Sequence, residues 1–173
     1  MNKALIVIDI QKYFLNKRTE SIIKPIINRI QKYLEQNLQK YSVVYFTIFR
    51  NDKNSSLWKF SEWKDCAKSP DTDLCDELSK FTNKKNLVYK NVLSAAKKTQ
   101  IIESIKTNNI QEIDLCGFDT DCCVLATAYD LFDLGIKPVV LENLTWSTSK
   151  EKLHNAAIKI VNRNIGFVKK TIL

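Results

Sequence analysis

Residues Ile113 to Gly135 read I-D-L-C-G-F-D-T-D-C-C-V-L-A-T-A-Y-D-L-F-D-L-G. A short alternating apolar run, Ile113 and Leu115, breaks at Gly117. Apolar residues then resume at helical spacing from Cys123 through Val124, Ala128, Leu131 and Phe132 to Gly135. The pattern predicts a strand that enters a helix through a tight polar turn of Asp119, Thr120 and Asp121. The turn delivers two adjacent cysteines, Cys122 and Cys123, to the first helical turn. Unpaired backbone N–H groups and the positive end of the helix dipole favour a thiolate there, so a cysteine so placed can act as a nucleophile. A free cysteine is also a small core residue, and that reading stands beside the reactive one.

Outward from this stretch the same alternation repeats. Lys3 to Ile10, K-A-L-I-V-I-D-I, is a branched apolar run suited to a strand buried on both faces. It places Asp9 where the apolar pattern should continue. A carboxylate at that end of a buried strand either caps local N–H groups or belongs to a site. A helix is expected from about 21 to 39, with Ile22, Ile23, Ile26, Ile27, Ile30, Tyr33 and Leu34 on one stripe. Strands follow at 42–49 and 87–89, with Lys90 just past the latter, and short helices at about 73–80 and 97–106. A further strand is expected at 137–141, a helix from a Thr148/Glu151 capping box to about 163, and a last strand at 166–170. Such alternation predicts one domain over residues 1–173: a three-layer α/β/α, Rossmann-like fold with a mostly parallel sheet of about six strands. Ligands of such sheets bind beyond the carboxyl ends of the strands. Asp9, Lys90 and the 119–123 turn all belong to that rim.

Composition narrows the function classes. Hydrophobic residues make up 45% of the 173, with three prolines and three glycines, which excludes a disordered or collagenous chain. The apolar runs are too short for a signal peptide or membrane span, so a cytoplasmic protein without a membrane partner is expected. Five cysteines, an odd number, argue against a disulfide framework, and a single histidine argues against a zinc site. The net charge of +8 comes from lysines scattered over nearly every helix rather than gathered with aromatics, so no nucleic-acid partner is expected.

Three blocks in order, V-I-D-I-Q ending the first strand, K-N-V-L-S-A from Lys90, and G-F-D-T-D-C-C-V-L-A-T-A, resemble the isochorismatase-like cysteine hydrolases. That group includes nicotinamidases, N-carbamoylsarcosine amidase and ureidoacrylate amidohydrolases. The resemblance implies a catalytic triad of Asp9, Lys90 and Cys123, the nucleophile being the cysteine immediately before the valine. It also implies a non-proline cis peptide between Phe118 and Asp119, and an oxyanion hole from the backbone N–H groups of Asp119 and Cys123. Where nicotinamidases carry a metal-binding D-x-H, this chain has Phe49 and Asn51, so the resemblance is to a metal-free branch without a cofactor.

The expected activity is hydrolysis of a carbon–nitrogen bond in a small amide through a thioester. A nicotinamidase and a catalytically silent scaffold of the same fold are the alternatives. Phe14, Arg50 and Trp58 are the expected substrate contacts, Arg50 by meeting a substrate carboxylate; a solvated loop charge is its other reading. Because adjacent helical residues diverge by about 100°, Cys122 is not expected to share the pocket with Cys123. The loop from Arg50 to Ser69, with Trp58, Phe60 and Trp63, is expected either to pack at a boundary between subunits of a homo-oligomer or to form a small aromatic core of its own.

Overall fold

The computed structural model describes residues 2–172. Six strands form one sheet in the order β3-β2-β1-β4-β5-β6, and every neighbouring pair is parallel. They are β1 (Asn2–Ile8), β2 (Val43–Phe49), β3 (Leu87–Lys90), β4 (Ile110–Phe118), β5 (Lys137–Trp146) and β6 (Val168–Lys169). The chain steps from β1 out to β3, then returns to the other side of β1 to lay down β4. That reversal leaves a crevice beyond the carboxyl ends of β1 and β4, which pair down to Ile8 and Gly117.

Strand alternation sorts the core into two halves. Leu5 and Val7 of β1 face α1 (Glu20–Asn37), which supplies Ile23, Ile26, Ile27, Ile30 and Leu34. Ala4, Ile6 and Ile8 face the opposite layer, with α3 (Thr99–Thr107), α4 (Leu125–Asp133) and α5 (Glu151–Asn164). Two residues placed on the apolar stripes fall off their edges: Ile22 is 49% exposed and Phe132 45%. Each is rotated by one helical step from the last truly buried position, Ile23 and Leu131.

Other departures from the sequence expectations have local causes. α4 begins two residues later than the cysteine pair, because Thr120–Val124 forms a π-helical turn first. β5 runs past Leu141 to Trp146 across a bulge: Leu115 pairs with Val140 but Gly117 pairs with Thr145, which absorbs the polar Glu142 and Asn143. The helix expected at 73–80 is a 3₁₀ turn at Asp76–Phe81. The long loop contains one short helix, α2 (Ser56–Phe60). No capping box opens α5, whose N-cap is Lys150. Thr148 instead donates its backbone N–H and hydroxyl to the Asp119 carboxylate, at 2.6 and 2.8 Å.

Gly117 is needed where it stands. Its φ is +114°, and a Cβ there would sit 2.0 Å from the carbonyl oxygen of Ile8. Only glycine lets β4 approach β1 this closely beneath the crevice. Among the described residues no helix is long and apolar enough to cross a membrane.

Candidate active site

Asp9 leaves β1 with a left-handed backbone, φ 53°, which turns its carboxylate into the crevice instead of along the strand. The Thr47 hydroxyl donates to Oδ1 at 2.7 Å, and the Lys90 ammonium lies 2.7 Å from Oδ2. Asp9 and Lys90 are each 1% exposed. Lys90 starts from β3, two strands and roughly 10 Å away. Its apolar stem carries the charge across β2, with Nζ 4.9 Å from the centre of the Phe49 ring. At the far end the ammonium donates to the carbonyls of Val92 (3.2 Å) and Leu93 (3.0 Å) and to Cys123 Sγ (3.4 Å). Lys90 therefore joins an acid from β1 to a thiol after β4, and the structure brings Asp9, Lys90 and Cys123 together.

The π-helical turn sets the cysteines. The Val124 N–H reaches back five residues to the Asp119 carbonyl at 3.1 Å, and the Phe118–Asp119 peptide is cis. This wider turn overrides the 100° divergence of an ordinary helix, so Cys122 and Cys123 both line one cavity. The turn is fastened twice more. Asp119 holds Thr148, and the Thr120 hydroxyl pairs with Nδ1 of His154 at 2.9 Å. His154 is buried and stacks on Trp146, ring centres 4.9 Å apart. Burial lowers the pKa of its imidazole, against the pull of Glu142, Glu151 and Asp121.

The electrostatics correct the picture of a resting thiolate. The neighbouring Cys122 thiol, then burial, then the Asp9 carboxylate push the Cys123 thiol well above the ordinary range, and Lys90 offsets this only in part. The same pairing lowers the pKa of Cys122. For Lys90, burial opposes the charged form, but Asp9 and then Cys123 outweigh it and leave the ammonium stabilised. The resting site thus holds a Lys90 ammonium and a protonated Cys123 thiol.

A cavity of about 290 Å³ opens onto this group, walled by Tyr13, Phe14, Phe49, Leu57, Trp63 and Leu93, with Thr148 and Ser149 at its polar side. Phe14 is in the wall. Arg50 is not: its guanidinium lies over the Tyr89 ring at 4.8 Å, beside a separate depression with Asp52 and Lys98. Trp58 is also outside the wall, with Lys64 over its ring. Trp63 takes the inward place instead. It stacks on Phe49 with centres 6.0 Å apart and donates its indole N–H to the Tyr13 hydroxyl at 3.0 Å. This aromatic corner was legible only as loop composition. Tyr13, Trp63 and Ser149 carried no motif, Thr148 was read only as a helix cap, and His154 was noticed only as the lone histidine.

The metal positions known from nicotinamidases can be tested on the residues present. Phe49 fills one with a ring stacked on Trp63. Asn51 gives its amide N–H to the Trp63 carbonyl at 2.9 Å, and the single histidine is committed to Thr120. Among the described residues no group of three His, Cys, Asp or Glu side chains could hold a metal ion. The donor set does not fit a divalent metal.

Comparison with known proteins adds a lineage to this geometry. Residues 3–171 match the family model described as Isochorismatase domain. The chain is 27% identical over 169 residues to Nicotinamidase 3 of Arabidopsis thaliana, covering 95% of this chain and 81% of that one. The solved nicotinamidase PncA of Bacillus subtilis superposes with a TM-score of 0.83 at 25% identity, over 98% of this chain and all of the other. An isochorismatase-like hydrolase from Alkaliphilus metalliredigens gives a TM-score of 0.83 at 20% identity, over 98% and 95%.

The Asp119 clamp yields a pH prediction. Burial raises its carboxyl from an ordinary 3.8 to about 6, although Thr148 pulls the other way. A folded value above the unfolded one contributes stability that is present below about pH 4 and lost as pH rises through about 6. Wild type should therefore gain stability relative to Asp119→Asn as pH is lowered from 7 to 4, read from urea midpoints of the two proteins. A difference that stays constant over this range would mean that Asp119 titrates as an ordinary carboxylate.

Proposed function

The chain belongs to the isochorismatase family, and from that premise we propose a cysteine hydrolase, independent of metal, that cleaves a carbon–nitrogen bond of a small amide through a thioester. The observation that carries the reading is the buried Lys90 ammonium, 2.7 Å from Asp9 and 3.4 Å from Cys123 Sγ, the two residues that line a small-molecule cavity. Asp9 takes the Cys123 proton as the sulfur attacks the carbonyl carbon, which spares the site a free buried thiolate. The backbone N–H groups of Asp119 and Cys123 hold the oxygen that becomes negative. Asp9 returns the proton to the leaving amine or ammonia, then deprotonates the water that hydrolyses the thioester. Lys90 holds the Asp9 side chain in place between these transfers.

The walls bear on the substrate. Aromatic side chains line the cavity and Arg50 is turned away, so a flat, uncharged carboxamide suits it better than a carboxylate. Nicotinamide has that shape, and the nicotinamidase relatives make it the first compound to try, with chelator present and absent. A silent scaffold remains the reading if no carboxamide turns over.

Cys123→Ala should abolish turnover of any substrate found, while Cys122→Ala keeps most of it. Asp9→Asn should slow turnover by roughly 10²-fold or more. Because Asp9 pairs with the buried Lys90, Asp9→Asn also costs stability, on the order of 3 kcal/mol. Steady-state rates and urea midpoints on the same preparations check both. A near-normal rate for Asp9→Asn would remove it from the mechanism.

We further infer a homo-oligomer, on altered grounds. Trp63 packs within its own chain, whereas Phe60 is 85% exposed at the end of α2. Phe60→Ser should shift the sedimentation coefficient toward that of a monomer. A wild-type chain that sediments as a monomer at micromolar concentration would overturn this.

A further inference from the structure

Cys122 has no part in the hydrolytic scheme, yet the π-helical turn puts it in the wall of the same cavity as Cys123, on the next residue of the chain. Two thiols on consecutive residues, facing one chamber, form a ready chelate. The geometry points to a dithiol site at Cys122 and Cys123 that binds monosubstituted trivalent arsenicals.

The class of ligand follows from what the cavity offers and lacks. Thiolates are soft ligands and select soft centres. A tetrahedral divalent ion wants three or four protein ligands, and among the described residues no such group exists. An R–As(III) centre needs only two sulfurs, because its third bond is to its own carbon. The aromatic wall of Phe14, Phe49 and Trp63 receives the organic group, and the Lys90 ammonium beside Cys123 Sγ assists loss of the thiol proton. In the reaction with R–As(OH)₂, each sulfur forms one As–S bond as one As–O bond breaks. The two thiol protons leave on the two oxygens as two waters. Arsenic stays trivalent, and nothing is oxidised or reduced.

The other cysteines do not compete. Cys66, Cys75 and Cys116 are buried, and burial pushes the thiols of Cys66 and Cys75 up to about 12. A bound arsenical would cover Cys123 and so block any chemistry there, but binding itself does not depend on the hydrolase reading.

Phenylarsine oxide is the probe, and intact-protein mass spectrometry the readout, which is independent of activity. Wild type should retain one phenylarsine per chain, added with loss of one water, in excess glutathione, and release it to 2,3-dimercaptopropanol. Cys122→Ser and Cys123→Ser should each lose the glutathione-resistant adduct, and Cys75→Ser should keep it. Circular dichroism verifies that each variant is folded, and Cys122→Ala gives a second route should the serine variant fail. No glutathione-resistant adduct on wild type, or one that survives the loss of Cys122, would overturn the proposal.

Discussion

An ammonium group shut away from water must be surrounded by acceptors, and Lys90 imposes that demand on everything around it. Its three N–H bonds are shared among the Asp9 carboxylate, the carbonyls of Val92 and Leu93, and Cys123 Sγ. These partners come from β1, from the segment after β3 and from the turn after β4. The ion pair can exist only if the sheet order puts β1 between β2 and β4. Only then can a lysine stem from β3 cross β2 and end over the crevice. Gly117 permits the close β1–β4 contact beneath it, and the left-handed backbone of Asp9 turns the acid to meet it. A buried ion pair is weak evidence for stability as such. Here its value is positional: it holds an acid and a thiol at fixed places around one cation.

The thiol is kept protonated by the same arrangement. Cys123 faces a carboxylate and another thiol as well as the ammonium, and burial adds to the cost of charge. In the proposed reaction, a proton that stays on sulfur until a carbonyl arrives avoids a standing buried anion and reserves Cys123 for bound substrate. Asp9 can take that proton because Thr47 and Lys90 occupy it without displacing it from the crevice.

Much of this was legible in the sequence, for reasons that differ by residue. The strand–helix alternation and the apolar stripes follow from periods of 2 and 3.6, and they located the sheet, its parallel sense and most of the core. Asp9 stood out as a charge that interrupts a buried strand, and Cys123 as a thiol at a helix start. Strand order was not legible, because periodicity carries no information about which strands become neighbours; the reach of Lys90 depends on it. The π-helical turn escaped too, and with it the entry of Cys122 into the cavity, since one extra residue in a turn leaves no mark in hydrophobic spacing. Thr148 looked like a helix cap and became the partner of Asp119. Trp63 and Trp58 were equivalent as loop aromatics, and only the fold of the loop against Phe49 separates them.

The central claim is that Cys123, deprotonated by Asp9 and steadied by Lys90, becomes acylated. The most direct test is rapid acid quenching of the protein during turnover of a carboxamide, followed by peptide digestion and fragmentation mass spectrometry. The account predicts the acyl group of the substrate on Cys123, with none on Cys122. Acylation of Cys122 instead, or turnover with no acylated cysteine at any quench time, would contradict it.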